Sequence, residues 1–339
     1  MATIMDVAAR AGVSIKTVSR VLNEHENVSA ETRERVHEAM RALNYRPSDA
    51  ARQLRGQAPA NVGVLLEDPS GGYQSRFHQA LLTACLQAGR YLCVELFEGP
   101  VVGWEERIRL FLERTHIGEM ILLPPLCDFS PLKRLLRDHG IDCVLISPSS
   151  PDPNNPAVVM DDRTAAFEVT DKLIELGHRR IGHIVGDPDH VASGLRRAGF
   201  LDAFTARGLP RPDPSLIVQG DFRFKRGRDA AEILLKSPNP PTAIFAANDD
   251  TAAAVCMVAH SLGLHIPNDL SVAGFDDSPI ASAIWPSLTT IRQPFAAMAA
   301  SAVKALSLSP NQAQDGRIAR TYLERHELVV RESTGPARG

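Results

Sequence analysis

From Asn61 onward the chain alternates between two kinds of segment. Short apolar runs (NVGVLLED, YLCVELFE, EMILLPP, DCVLISP, AVVMDD, RIGHIVGD, SLIVQGDF, TAIFAAND and LSVAGFDD) are separated by amphipathic stretches such as 104–116, 163–177, 193–208 and 250–263. No other feature restricts the fold as much. Brief apolar runs bounded by turn formers read as buried strands, and the periodic stretches between them read as helices. Strands and helices in alternation imply parallel sheets covered by helices on both faces. The number of runs favours two open sheets over one closed barrel. The Pro- and Asn-rich SPSSPDPNNP, residues 147–156, marks a long turn or crossing between halves.

The first 60 residues have a different rhythm. Thr3-x-x-Asp6 reads as a capping box opening a helix that Gly12 ends. Ser14 then reads as the N-cap of a second helix, in which Val18, Val21 and Leu22 form one apolar stripe. Ile15, Lys16, Ser19 and Arg20 lie on the other side. A third helix follows Ser29, with Thr32, Val36, Ala39, Met40 and Leu43 on one face and Asn44 at its end. Two short helices joined by a Gly-containing turn, the second with a polar outer face, match helix-turn-helix DNA binding. An ordinary helical hairpin has the same pattern. Next comes YRPSDAARQLRG, in which Pro47 and Gly56 leave barely two turns of helix, and then the linker QAPAN.

Composition excludes several classes. The chain has 339 residues, 44% hydrophobic and 23% charged, as expected of a soluble protein of two or three domains. No apolar run approaches a membrane span, and the N-terminal residues lack the apolar core of a signal peptide. Five scattered cysteines without a CxxC read as reduced thiols of a cytoplasmic protein. The net charge is −3, yet residues 1–60 carry nine Lys and Arg against seven Asp and Glu. That asymmetry is in the direction nucleic-acid binding requires.

Most strands end in a polar residue: Asp68, Ser147, Asp161, Asp187, Asp221, Asn248 and Asp276. In open α/β sheets ligands bind beyond the carboxyl ends of strands. Carboxylates and amides there suit a ligand rich in hydroxyls, with Phe222 and Tyr73 as flat apolar faces and Arg196 as a forked donor. The plainer alternative is that acids at these positions cap the next helix, the role expected of Asp162, Asp249 and Asp277. There is no Walker A run, GxSxG elbow, HExxH, or GxGxxG after a strand, so no catalytic residue, metal ligand or cofactor site is expected. Asp161-Asp162 and Asp276-Asp277 are poor acid/base pairs, because adjacent residues at a strand end point different ways. His178 and His183 read as structural.

The stretches TIMDVAARAGVSIKTVSRVLN, VSAETRERVHEAMRALNYRPS, LGHRRIGHI, LRRAGFLDAF, PTAIFAAND, LSVAGFDD and PSLTTIRQP resemble, in the same order, the LacI/GalR family of bacterial transcription regulators. The resemblance runs from about residue 3 to 332. It implies an α/β protein with an all-α helix-turn-helix headpiece at 1–46 and a hinge helix and linker at 47–60. A periplasmic-binding-protein-like core follows, with two doubly wound parallel-sheet subdomains joined by three crossings. One subdomain is expected at 61–160 plus 291–322, the other at 161–290 plus 323–333, with a tail at 334–339.

Carried over by position, Ile15 and Lys16 match the base-reading pair, Arg20 a further base or backbone contact, and Ser14, Thr17 and Ser19 the flanking DNA contacts. Asn23 ends that helix, and Ala51 and Leu54 match hinge residues, Leu54 the minor-groove wedge. Tyr73, Gln74, Arg196, Phe222, Asn248 and Asp276 match effector-binding positions, as do Asp161 and Gln293. Ile15-Lys16 differs from the pair of the best-known lactose and purine regulators, and DPSGGYQS replaces the usual first ligand loop. After Val330 there is no leucine heptad.

These observations lead to the expectation of a cytoplasmic, homodimeric repressor on double-stranded palindromic operator DNA. A sugar or sugar derivative would release it from genes of carbohydrate uptake or catabolism, by favouring a core state that disorders the hinge helices. Corepression by the ligand is the alternative sign. A solute-binding component of a sugar transporter shares such a core but has no headpiece, and a carbohydrate enzyme needs an acid/base pair.

Overall fold

At the start of the chain, Thr3 and Asp6 cap the first helix reciprocally. The Asp6 carboxylate accepts the Thr3 main-chain N–H at 2.7 Å, and Thr3 Oγ1 accepts the Asp6 N–H at 3.3 Å. The computed structural model describes residues 3–22, 25, 28–43, 45, 61–67, 72–307 and 320–338, and the chain divides into units 1–60 and 61–339. In the first unit α1 (Ile4–Ala11) ends at Gly12, whose φ of 62° places it in the left-handed region open to glycine. α2 (Ile15–Leu22) starts at Ser14, whose Oγ accepts the Thr17 N–H at 3.1 Å. α3 (Ala30–Ala42) starts at Ser29, which caps Thr32 in the same way. Val7, Ala8, Ala11, Val18, Val21, Val36 and Ala39 are buried together, with Leu22, Met40 and Leu43 packed against them. Arg35 donates to the Ala11 carbonyl at 2.5 Å, closing the end of α1 from a helix distant in sequence. The expected hinge helix, with Ala51 and Leu54, and the positions of Asn23, Asn44 and Asp68 lie outside the described residues.

In the second unit all nine expected strands form. They are β1 (Asn61–Leu66), β2 (Tyr91–Leu96), β3 (Glu119–Leu122), β4 (Asp142–Ile146), β5 (Ala157–Met160), β6 (Ile181–Val185), β7 (Ile217–Gln219), β8 (Ala243–Ala246) and β9 (Ser271–Ala273). Three more follow, β10 (Thr290–Arg292), β11 (Thr321–Glu324) and β12 (Glu327–Val329). A six-stranded parallel sheet has the order β11-β5-β4-β3-β1-β2, and a four-stranded parallel sheet the order β7-β6-β8-β9. β10 and β12 pair antiparallel as a separate ribbon. Among the described residues the parallel strands therefore form two open sheets and no barrel. The crossing helices are α4 (Gly72–Gln87), α5 (Trp104–Thr115), α6 (Ser130–Asp138), α7 (Asp162–Glu175), α8 (Val191–Ala206), α9 (Phe224–Leu235), α10 (Asp249–Ser261), α11 (Pro279–Ala283) and α12 (Phe295–Leu306). β3, β6 and β8 are buried along their whole length, as strands covered on both faces must be.

The chain passes between the sheets three times: after β5, between Arg292 and Phe295, and after β11. Since β11 pairs with β5 as far as Glu324, the last crossing follows 324 and not 322 as expected. The expected capping acids also need correction. Asp161, not Asp162, caps α7, accepting the Thr164 N–H at 2.9 Å. Asn248, not Asp249, caps α10 through the Thr251 N–H at 3.0 Å. Asp277 caps nothing; it pairs with Arg292 at 2.6 Å and Arg331 at 2.5 Å. In the first two cases the helix starts one residue earlier than the sequence suggested, so the second acid of each pair is already inside the first turn.

Both singled-out histidines are buried. His178 lies between Thr242, Ser271 and the Gly335 carbonyl. His183 lies in mid-strand, stacked between Phe200 and Phe245 with both centroid distances 4.9 Å. Its Nδ1–H donates to the Phe245 carbonyl at 2.9 Å. Burial pushes its pKa down to about 4, so the neutral ring is the folded form. Between pH 6.5 and 4 the unfolded chain binds the extra proton, and stability falls as pH falls. Replacing His183 with Leu should remove this loss, worth roughly 3 kcal/mol at the acid limit. The melting temperature of the variant minus that of the parent should therefore rise as pH falls from 7 to 4.5; parallel curves would show that His183 does not titrate with folding.

Candidate functional site

Two surfaces merit description, one in each unit. On α2, Val18 and Val21 face the small core, while Ile15 (46% exposed), Lys16 and Arg20 face outward, with Thr17 and Ser19 half-buried beside them. Ser14 lies at the N-terminus of this helix, its Oγ also 2.9 Å from Thr17 Oγ1. The expected residues from Ser14 to Arg20 thus form one solvent-facing strip, presented at a helix N-terminus suited to phosphate oxygens.

The second surface is a cavity of about 720 Å³ in the core unit, lined from the carboxyl ends of both parallel sheets. Of the eight side chains expected to meet there, seven do: Tyr73, Gln74, Arg196, Phe222, Asn248, Asp276 and Gln293. Asp161 does not. It serves as the α7 cap and turns away, and its neighbour Asp162 lines the cavity instead. The chain reverses side-chain direction at each step on leaving a strand, so only one of the two adjacent acids can point inward.

Arg196 organises the floor. Its Nε donates to Asp162 at 2.8 Å and its Nη1 to the Ala247 carbonyl at 2.6 Å. The guanidinium carbon lies 3.6 Å from the Phe275 ring centroid and 5.7 Å from that of Phe222. Arg196 is only 5% exposed and Asp162 only 4%, so this is a buried, hydrogen-bonded charge pair whose parts must stay together. Asn248 spends both ends of its amide: Oδ1 caps α10 and Nδ2 donates to the Phe222 carbonyl at 2.8 Å. That bond holds Phe222 at a φ of 67°. A Cβ on Gly186 would fall 2.1 Å from the Phe222 ring, so only glycine lets this ring sit where it does. His190 packs edge-on against the same ring at 5.6 Å.

Asp276 accepts Gln293 Nε2 at 2.6 Å, and its main-chain carbonyl accepts Arg76 Nη1 from α4 at 2.6 Å. Burial pushes its pKa up to about 6 against the opposing pull of Arg196 and Gln293. Ser147, Phe222 and Asp276 all line the cavity with φ in the left-handed region, at 45°, 67° and 109°. Non-glycine residues held there carry backbone strain, which tends to collect at ligand sites. Tyr73 stacks on Phe77 and meets Phe295 edge to face, and burial holds its phenol well above its usual pKa. Gln74 accepts the Glu67 main-chain N–H at 3.0 Å, tying α4 to the end of β1.

Sequence reasoning missed Asp162, Glu67, Asp250 and His190, all in the lining. Asp162 follows a strand-end acid already singled out, and the reversal of direction between neighbours was the signal; Glu67 and Asp250 carried none. His190 is placed by a turn that no periodicity reveals.

The chain matches two family models: bacterial regulatory proteins, lacI family, over residues 3–48, and a periplasmic binding protein-like domain over residues 170–334. It is 30% identical over 334 residues to the HTH-type transcriptional repressor PurR of Aliivibrio salmonicida, covering 98% of this chain and 99% of that one. It is 31% identical to the ribose operon repressor of Escherichia coli, covering 87% and 88%. The protein belongs to the lacI family of bacterial regulators. Among solved structures, the Lac repressor dimer bound to operator and the anti-inducer ONPF is similar with a TM-score of 0.83 at 28% identity, covering 98% of this chain and 99% of that one. A complex of the transcriptional regulator CelR with cellobiose has a TM-score of 0.72 at 29% identity, covering 98% and 100%. As a lacI-family member the protein is a DNA-binding transcription regulator with an effector-responsive core.

Asp249 lies just behind the cavity. Its carboxylate accepts Thr290 Oγ1 and the Ser278 N–H, both at 2.7 Å, bracing α10, β10 and the start of α11. Burial, then the charge of Asp276, push its pKa up to about 7. The folded state therefore holds a proton that the unfolded state releases near pH 4, and stability is lost as pH rises from about 4 to about 7. Asp249→Asn should flatten that decline, by up to about 4 kcal/mol across the window. Denaturant titrations of parent and variant at pH 5 and pH 8 measure it. An unchanged difference between the two pH values would place Asp249 outside the coupling.

Proposed function

We propose that the protein is a homodimeric repressor of carbohydrate uptake or catabolism genes, released from a palindromic operator by a sugar-type inducer. The observation that carries this reading is the cavity: carboxylates, an amide and aromatic faces converge from both sheets, the combination that hydroxyl-rich rings require. The named relatives add support, one a ribose operon repressor and another solved with cellobiose. The effector shifts the population between two core states, and does so only to the extent that it binds them unequally. The working place of such a regulator is the bacterial cytoplasm.

On DNA, Ile15 and Lys16 read base edges in the major groove, and Arg20 adds a base or backbone contact. Ser14, Thr17 and Ser19 take phosphates, with Asn23, Ala51 and Leu54 contributing from positions outside the described residues. Lys16 supplies a donor for acceptors such as guanine O6 and N7. Lys16→Ala should cost about 1–3 kcal/mol on the preferred operator and flatten discrimination at one base pair per half-site. Operators selected from a random pool, then varied one base at a time in gel-shift titrations, test this. An identical ranking of all single-base variants by parent and mutant would exclude Lys16 from base reading.

Dimerisation is supported by apolar side chains exposed on α4 and on the edge strand β2, which pack together: Leu82, Leu86, Tyr91, Val94 and Leu96. The Lac repressor comparison structure is itself a dimer. The full chain should sediment as two copies at micromolar concentration, and Leu86→Asp should shift it toward one. A parent that sediments as a single copy would refute the dimer.

A further inference from the structure

The cavity lining carries charge of predominantly one sign. Among the described residues it presents nine carboxylates, Glu67, Asp162, Asp187, Asp250 and Asp276 among them, against two guanidinium groups, Arg196 and Arg223. Arg196 is already committed to Asp162, to the Ala247 carbonyl and to the face of Phe275. It has little charge left to offer a ligand anion. The carboxylates, in contrast, have acceptor capacity to spare. Among the described residues neither Glu67 nor Asp250 has a side-chain hydrogen-bond partner, while Gln293 engages one oxygen of Asp276 and Arg196 one oxygen of Asp162. A carboxylate accepts and cannot donate, so the missing partners must be donors. Burial raises the pKa values of Glu67 and Asp250 with no opposing charge or donor, and that of Asp276 against the pull of Arg196 and Gln293.

Size narrows the class further. About 720 Å³ lies in the upper part of the roughly 300–1,000 Å³ typical of sites for drug-sized ligands, and exceeds the needs of one pyranose ring. Aromatic residues contribute from both sheets, Tyr73 among them. Phe222 follows β7, and Phe97 follows β2, braced by Trp104 at 5.9 Å and Phe129 at 6.3 Å.

We propose that the effector is a di- or oligosaccharide without phosphate or carboxylate groups, whose hydroxyls, or ammonium in an amino sugar, donate to Glu67, Asp162, Asp250 and Asp276. This rests on the sugar-binding reading above and narrows it: sugar phosphates, sugar acids and single-ring sugars are not the inducer. A neutral and an amine-bearing saccharide share the required donor chemistry.

The test is a thermal-shift screen followed by calorimetry on the full chain, with operator binding measured on the same preparation. The probes are glucose, galactose and xylose; maltose, cellobiose, trehalose, lactose and xylobiose; chitobiose and the glucosamine disaccharide; and glucose 6-phosphate, trehalose 6-phosphate and glucuronic acid. At least one neutral or amino disaccharide should stabilise the protein and bind about tenfold or more tightly than its own monosaccharide. No phosphorylated or acidic probe should shift the melt. The preference between neutral and amino members then identifies the donor. Glu67→Gln with Asp250→Asn, both partly solvent-facing, should weaken that disaccharide by about tenfold while leaving operator binding in its absence unchanged. Tightest binding by a phosphorylated, acidic or single-ring probe, or no shift from any disaccharide, would overturn the assignment. Intact operator binding alongside such a result leaves the regulator reading standing, whereas absent operator binding counts against that reading separately.

Discussion

Each parallel pair of strands obliges the chain to return to the same end before pairing again, and here the return is made by a helix laid across a face, except between β4 and β5, which residues 147–156 join without one. Ten strands of the core obey this rule in two sheets, and the ribbon of β10 and β12 ties the crossings together. The loops leaving the carboxyl ends of the strands therefore gather around one opening. Residues as far apart as Glu67 and Gln293 meet there without any contact between them in sequence.

Within that opening the buried guanidinium of Arg196 fixes the geometry. Its partners come from the first turn of α7, the end of β8 and the end of β9, so it cannot keep all three unless the four-stranded sheet and its crossings are in register. Removing one member would leave a buried charge uncompensated, which is far more costly than the pair is stabilising. Asn248 and Gln293 extend the arrangement outward, one holding Phe222 and the other Asp276. The strained φ angles at Phe222 and Asp276 persist because these bonds over-determine them. Arg76 then links the Asp276 carbonyl to α4, so a ligand that moves Asp276 also acts on the helix following β1.

The headpiece depends on end-capping to an unusual degree. Its core comprises a few valines and alanines, too little apolar area to be very stable alone. Thr3, Ser14 and Ser29 each satisfy an N-terminal N–H, Gly12 and Arg35 close the end of α1, and α2 presents Ile15, Lys16 and Arg20 to solvent.

By itself the sequence determined the alternation of nine strands with helices, the three caps of the headpiece, and the amphipathic split of α2. These are local properties: periodicity, capping and turn chemistry act within a few residues. It also marked seven of the cavity residues: Asn248 and Asp276 as polar strand ends, which share one edge of any parallel sheet, Tyr73, Phe222 and Arg196 as faces and donor for such a ligand, and Gln74 and Gln293 through the family resemblance alone. Only the tertiary structure decided which acid of each adjacent pair faces the ligand. Asp162 turns to Arg196 and Asp161 to Thr164 because the helix starts one residue earlier than capping preferences indicate, and a one-residue shift exchanges inside for outside. The roles of Glu67, Asp250 and His190, and the closure of α1 by Arg35, were likewise invisible. Each depends on groups brought together by packing, and neither propensity nor periodicity carries information about a neighbour that distant in the chain.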